Sequence, residues 1–201
     1  MTSELLSTAR PSRLRFAGFL AIVLGAGAIG FAATRRWVTI GFVGDTQGAA
    51  DVPLNGTDLW EGKAVLLAAA VALTLMLVIR IARSSTTRRV LAIGLIVIGL
   101  ASAALVTIVA LGAEDRFAGD EGIDRIAAAI SRQTGDSEEV VREALLETLR
   151  GLLRVDVAVT TWIVVGGGLV LAGGGALTLA WIRERGRLDT SSVEEPEPPL
   201  A

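Results

Sequence analysis

The fifty residues from Ala64 to Ala113, AVLLAAAVALTLMLVIRIARSSTTRRVLAIGLIVIGLASAALVTIVALGA, decide the fold. Two uncharged runs, 64–79 and 90–113, flank a connector that carries Arg80, Arg83, Arg88 and Arg89 and no acid. A helix needs roughly 20 apolar residues to cross a hydrocarbon core of about 30 Å. The second run meets that length. The first reaches it if Ile81 and Ala82 continue the apolar face and Lys63 and Arg80 extend their stems toward the interfaces. The stretch predicts two spanning helices joined by a short arginine turn.

Two more uncharged runs lie outside it, 16–34 and 157–182. The first follows Arg10, Arg13 and Arg15 and contains Ala26-Gly27-Ala28, features shared with secretory signals. Its apolar part continues through Phe31 and Ala33, longer than a usual signal core, so it is read as a retained helix. Composition agrees with four spans: the 201 residues are 52% hydrophobic with a mean hydropathy of +0.59, too apolar for an ordinary soluble domain. There is no cysteine and no histidine, which excludes disulfides, thiol nucleophiles, imidazole bases and the usual zinc sites. A net charge of -2, with the arginines in scattered short groups, argues against nucleic acid as a partner.

The expected architecture is an all-α membrane protein, a four-helix transmembrane bundle with a small extracytoplasmic β-like hairpin and a two-helix amphipathic extracytoplasmic segment. Its parts are a cytoplasmic N-terminus (1–15), a first span (16–34), an outer loop with the hairpin (35–63) and a second span (64–83). An arginine-rich cytoplasmic turn (84–89), a third span (90–113), an outer amphipathic segment (114–156) and a fourth span (157–182) follow. A cytoplasmic, disordered, acidic and Pro-rich tail (183–201) ends the chain. Basic residues near span ends favour the cytoplasmic side. The connector residues Arg80, Arg83, Arg88 and Arg89 determine the orientation, placing both termini in the cytoplasm and the protein in the plasma (inner) membrane as a multi-pass chain.

Indole rings favour the bilayer interface, so Trp37, Trp60, Trp162 and Trp181 are expected as interface anchors. Trp162 and Trp181 are 19 positions apart in the sequence, roughly 28 Å of helix and close to the hydrocarbon thickness. Helices in lipid approach one another through small residues at i, i+4. The stripes Ala17-Ala21-Gly25, Ala64-Ala68-Ala72, Gly99-Ala103-Thr107 and Gly168-Ala172-Ala176-Ala180 predict packing at Gly25, Gly99, Ala103, Gly168, Ala172 and Ala176. The clusters Gly166-Gly167-Gly168 and Gly173-Gly174-Gly175 allow a bend or a close helix approach, of which close approach is favoured. Thr74, Ser102, Thr107 and Thr178 are expected to bond back to their own helix carbonyls.

In the first outer segment, β-branched residues from Arg35 to Val43, a polar centre at 44–48 and a return near Val52-Pro53-Leu54 predict the hairpin. Thr57 or Asp58 is expected to cap the second helix. In the second, Ile123, Ile126 and Ile130 mark one amphipathic helix over 122–133. Asp136 and Glu139 open another that carries Val141, Leu145, Leu149 and Leu152/Leu153, with Glu138 and Arg142 spaced as an i, i+4 pair. Asp120, Glu121 and Asp124 are too few fixed oxygens to predict a metal. No cofactor is expected.

The basic-started first span, Arg36-Trp37 ahead of a β-like segment, Gly56-Thr57-Asp58-Leu59 at the second span, the arginine turn at 80–89 and Thr161-Trp162 opening the last span form a recognisable order. Over roughly 14–187 the chain resembles the actinobacterial tryptophan-biosynthesis-associated (tryptophan operon-associated) transmembrane protein family. Trp60-Glu61-Gly62-Lys63 stands where members often have a proline. The resemblance implies an association with tryptophan metabolism and brings no catalytic residues with it. No Asp, Glu or Lys occupies a span interior, which disfavours ion-coupled transport. Catalysis would have to use Asp58, Glu61 or the carboxylates of 114–156. The expectation is a non-enzymatic accessory protein whose partners are the lipid bilayer and a membrane protein or a second copy of itself. The alternative is a small oligomeric transporter or channel for tryptophan, indole or a precursor.

Overall fold

The computed structural model describes residues 10–42, 52–117, 119–149 and 153–191. In chain order the elements are α1 (Arg10–Ala33), β1 (Arg36–Phe42), β2 (Val52–Asn55), a 3-10 turn (Gly56–Asp58), α2 (Trp60–Ile81) and α3 (Ser85–Leu111). They continue with α4 (Ala113–Phe117), α5 (Asp120–Thr134), α6 (Glu138–Leu149), β3 (Leu153–Val157) and α7 (Val159–Ser191). Among the described residues four helices are long and apolar enough to cross a membrane, within α1, α2, α3 and α7. The chain divides into a helical unit (Met1–Gly27, Ala68–Ala101, Gly167–Ala201) and a mixed unit (Ala28–Leu67, Ser102–Gly166).

In the helical unit α7 packs against α1 on one side and α3 on the other. A Cβ on Gly25 of α1 would lie 2.7 Å from the Gly167 carbonyl oxygen, and one on Gly99 of α3 would lie 2.5 Å from that of Gly168. One turn pair further on, Gly174 meets Ile22 and Gly18 of α1, while Gly175 meets Ala92 and Ile96 of α3. The glycine clusters therefore act as two doublets at heptad spacing, the first member of each admitting α1 and the second admitting α3. The expected i, i+4 stripe is corrected at its end: Ala176 and Ala180 are exposed. Each i+4 step overshoots the helical turn by about 40°, so a strict i+4 series leaves the seam after two steps and the contact passes to position i+7. Thr74, Thr107 and Thr178 donate to the carbonyls of Ala70, Ala103 and Gly174, respectively.

Between α2 and α3, the Ser84 side chain accepts from Thr87 N–H and its carbonyl accepts from Arg88 N–H, so Ser84 caps α3. The helix expected to stop at 182 runs on through Arg183 to Ser191. No proline or glycine pair interrupts Ile182-Arg-Glu-Arg-Gly-Arg-Leu188, and extending a formed helix costs less than starting one. The rest of the tail (192–201), the first nine residues, the hairpin's polar centre and Leu152 lie outside the described residues.

The mixed unit is built on a three-stranded antiparallel sheet in the order β2-β1-β3. Its third strand corrects the amphipathic helix expected to extend to 153. That helix ends at Leu149, and Leu153-Arg154-Val155-Asp156-Val157 alternates apolar with polar, the strand period, and pairs with β1. The register shifts between Arg36 and Val38 against β2, which makes Trp37 a bulged residue and lets Trp37 and Val38 both be buried. α5 buries Ile123, Ile126 and Ala127 and ends at Gly135, whose φ of +82° permits its N–H to reach the Ser131 carbonyl. α6 begins two residues later than Asp136, and the Ser137 carbonyl takes its first bond, from Val141 N–H. Asp58 accepts from Asn55 N–H and so closes the 3-10 turn; α2 starts after Leu59 instead, whose carbonyl accepts from Lys63 N–H.

Candidate functional site

The densest cluster of ionisable side chains is in the mixed unit, where α2, α4 and α5 meet. Glu61, in the first turn of α2, is 3% exposed. It can come so close to the 3-10 turn because Gly62 lies against the Gly56 backbone, where any Cβ would collide. One guanidinium N–H of Arg116 on α4 donates to Glu61 Oε1 at 2.5 Å. Nε and the other terminal nitrogen of Arg116 donate to Glu121 at 2.6 and 3.0 Å, a two-pronged arrangement matched to the planar fork. Arg125 adds a bond to the same Glu121 oxygen at 3.2 Å. Phe117, fully buried, carries both guanidinium carbons, at 5.2 and 5.8 Å from its ring centre.

Electrostatics follow the geometry. Hydrogen bonds from Arg116, and then from Arg125, hold the Glu121 carboxyl below its ordinary range against the opposing effect of burial. Arg116 is pushed above the ordinary arginine range, first by its bonds to Glu121 and then by Glu61. Oε2 of Glu61 and Nε of Arg125 are buried without a hydrogen-bond partner among the described residues. The four charges cancel in pairs and tie three elements together. Arg142 of α6 pairs with Asp124 of α5 across the helix pair, and its guanidinium is also shifted upward by that contact. The expected Glu138–Arg142 pairing is thus replaced by one between helices. Glu121 and Asp124 are thus each engaged by arginine.

The tryptophans divide. Trp60 and Trp162 are exposed, at 61% and 47%. Trp37 and Trp181 are buried within the chain. Trp37 rests on Gly56, where a Cβ would lie 2.5 Å from the ring, and its indole N–H donates to the Ala32 carbonyl at 2.9 Å. That carbonyl is one of the acceptors left over at the end of α1. The Trp37 carbonyl in turn accepts from Thr161 Oγ1 and Ala158 N–H, and the Arg36 carbonyl accepts from Thr160 Oγ1, tying the start of α7 to β1. Trp181 packs with Ala92 and Ile182, and the guanidinium groups of Arg15 and Arg185 lie over its ring.

Arg80, Arg83 and Arg89 are exposed, while Arg88 donates through Nε to the Ala82 carbonyl at 2.7 Å and closes the turn. Gly25, Gly99, Ala103, Gly168 and Ala172 are buried. Sequence reasoning missed the Glu61–Arg116 pair, whose members are 55 positions apart. A signal existed: two helices joined by a short connector run antiparallel, which brings the start of α2 level with the far end of α3, where α4 begins. No family model matches the chain, and neither a curated protein nor a solved structure matches it.

Proposed function

We propose that this chain is a four-span plasma-membrane protein with both termini in the cytoplasm, acting without catalysis as an accessory to another membrane protein or to a second copy of itself. Insertion is supported by the outward faces of the long helices, which carry Phe16, Leu67, Leu77, Val97 and Ile108 in exposed positions. The observation that carries the accessory role is the state of the charged cluster. Glu61, Glu121, Arg116 and Arg125 are consumed in mutual pairs that fasten α2 to α4 and α5, an arrangement suited to holding a surface in shape and ill suited to moving protons. The connection to tryptophan synthesis rests on the resemblance of the motifs around Trp37, Gly56–Leu59 and Thr161-Trp162 alone.

The natural absence of cysteine makes the orientation simple to test. Val140→Cys should react with a membrane-impermeant maleimide in intact cells, and Thr86→Cys only after permeabilisation. The reverse pattern would invert the topology. For the role, photo-crosslinking from exposed positions of α6 should recover one reproducible membrane protein, and deletion of the gene should slow growth under tryptophan limitation. Reconstituted vesicles that pass labelled tryptophan or indole faster than empty ones would replace the accessory reading with transport.

A further inference from the structure

From the Trp181 site we propose a second binding function, capture of an anionic phospholipid headgroup by Arg15 and Arg185. Trp181 is held by Ala92 of α3, Ile182 of its own helix and the partly buried Leu14 of α1 and Leu179, so its ring is fixed by three helices. Over this ring lie the Arg15 guanidinium at 5.4 Å and the Arg185 guanidinium at 5.8 Å, brought in from α1 and α7. Both arginines are exposed. A guanidinium stacked on a ring is held by its flat face, while its N–H donors point outward along its edge. With both guanidinium groups over the ring and both residues exposed, their N–H donors remain open to a ligand. Among the described residues no ion pair joins either arginine to a carboxylate, and the sequence neighbour Glu184 pairs with neither.

The ligand chemistry follows from the donors and the surroundings. Planar five-donor cations recognise phosphate by paired parallel hydrogen bonds. The same unit presents apolar side chains such as Phe16, Phe19 and Leu20 beside Arg15 in the α1 sequence, a surface for acyl chains next to the cationic pair. A phosphodiester with attached hydrocarbon satisfies both features; a soluble phosphate satisfies one. One direct hydrogen bond of ordinary net strength is about five-fold in affinity, so one from each arginine should give roughly thirty-fold.

This inference rests on the membrane reading above, and the test separates the two. The full-length protein, purified in neutral detergent, is titrated with phosphatidylglycerol or phosphatidylcholine and the bound lipid is counted by native mass spectrometry. The wild type should prefer phosphatidylglycerol, and Arg15→Gln with Arg185→Gln should remove that preference by roughly thirty-fold. Arg83→Gln with Arg89→Gln removes the same charge from exposed positions of the same unit that hold no ring, and screened charges without a direct contact should leave the preference within about two-fold. Arg15→Lys with Arg185→Lys keeps the charge, loses the planar forks and should fall between; it also serves if the glutamine pair fails to fold. Equal loss in both glutamine pairs, or no wild-type preference, would overturn the proposal and leave membrane insertion standing. Displacement of the lipid by inorganic phosphate at equal concentration would assign the site to a soluble anion and overturn it too. A protein that stays monodisperse after detergent removal and binds neither lipid would overturn the membrane reading itself.

Discussion

Phe117 and Trp181 each carry two arginine guanidinium groups over one buried ring, yet the two sites are completed differently. At Phe117 the arginines bond Glu61 and Glu121, and the result is a cluster whose charges balance. At Trp181 no described carboxylate takes the edges of Arg15 and Arg185. The same contrast runs through the units that contain them. The mixed unit is joined by ion pairs, strand ladders and side-chain bonds to carbonyls, whereas the helical unit is joined by backbones brought together at glycine. Long apolar helices with small residues at their contacts pack by shape, the mode that association in lipid would require. A unit holding its polar groups in a folded sheet can be fastened by charge.

The hardest way to break the comparison is at Glu61. Glu61→Gln leaves Arg116 facing a neutral amide at a buried position. Removing one member of a fully buried pair costs about 3–5 kcal/mol, and because Arg116 is 32% exposed solvent screening brings the expected loss below that range, to about 2–3 kcal/mol. The readout is the thermal midpoint of the detergent-solubilised protein. A midpoint equal to wild type would mean the cluster holds nothing together. Next is the helical unit's counterpart, Gly99→Val. Its Cβ would press on the Gly168 carbonyl and the Ala172 backbone, neither of which can swing aside, so about 1–3 kcal/mol is expected from overpacking. Disulfide trapping between introduced cysteines on α3 and α7 would show the helices moved apart; unchanged trapping would count against the close approach.

Much of this architecture was visible before any coordinates. The four long helices were legible because charge is suppressed for about 20 residues in each, the length and composition a membrane-crossing helix requires. The β1–β2 hairpin was legible from β-branched residues on either side of a polar centre. β3 was not, because Leu153–Val157 is short and is squeezed between an amphipathic helix and an apolar span that both claim its ends. The burial of Trp37 was hidden for a related reason. Its place after α1 matches an interface belt, while the bulge and the bare Gly56 surface that bury it depend on residues of and just after the partner strand β2, Leu54 to Gly56. The Glu61 cluster and the Trp181 pair share that limit: each joins residues from different helices, and nothing local marks them.

Trp37→Phe tests the bulge with a smaller change. The ring still covers Gly56, but the Ala32 carbonyl loses the indole N–H, and one net hydrogen bond of this kind is worth about 1 kcal/mol. A correspondingly lower midpoint is expected, together with faster amide exchange at the end of α1. Smaller again is the response to acid. Because the folded Glu121 carboxyl is held below its ordinary value, its contribution is complete above the unfolded value, near 4, and is lost as pH falls through the folded one. The mixed unit should therefore loosen on acidification, seen as increased proteolysis of α5, and Glu121→Gln should flatten that dependence. A slope unchanged by the substitution would place the acid sensitivity elsewhere.

The smallest effect belongs to a glycine that packs against nothing. Gly27 of α1 is exposed, and a Cβ added there meets no heavy atom within 4 Å, two positions from Gly25, where the same addition would meet the Gly167 carbonyl oxygen and the Leu171 backbone. Gly27→Ala should leave the midpoint within about 0.5 kcal/mol of wild type, as outward substitutions generally do, with helix propensity acting in its favour. Gly25→Ala should destabilise, since its new methyl enters a space already taken by backbone. If both substitutions were neutral, α1 and α7 would not be in contact at this level, and the opposition between a unit fastened by charge and a unit fastened by close backbone approach would lose its second half.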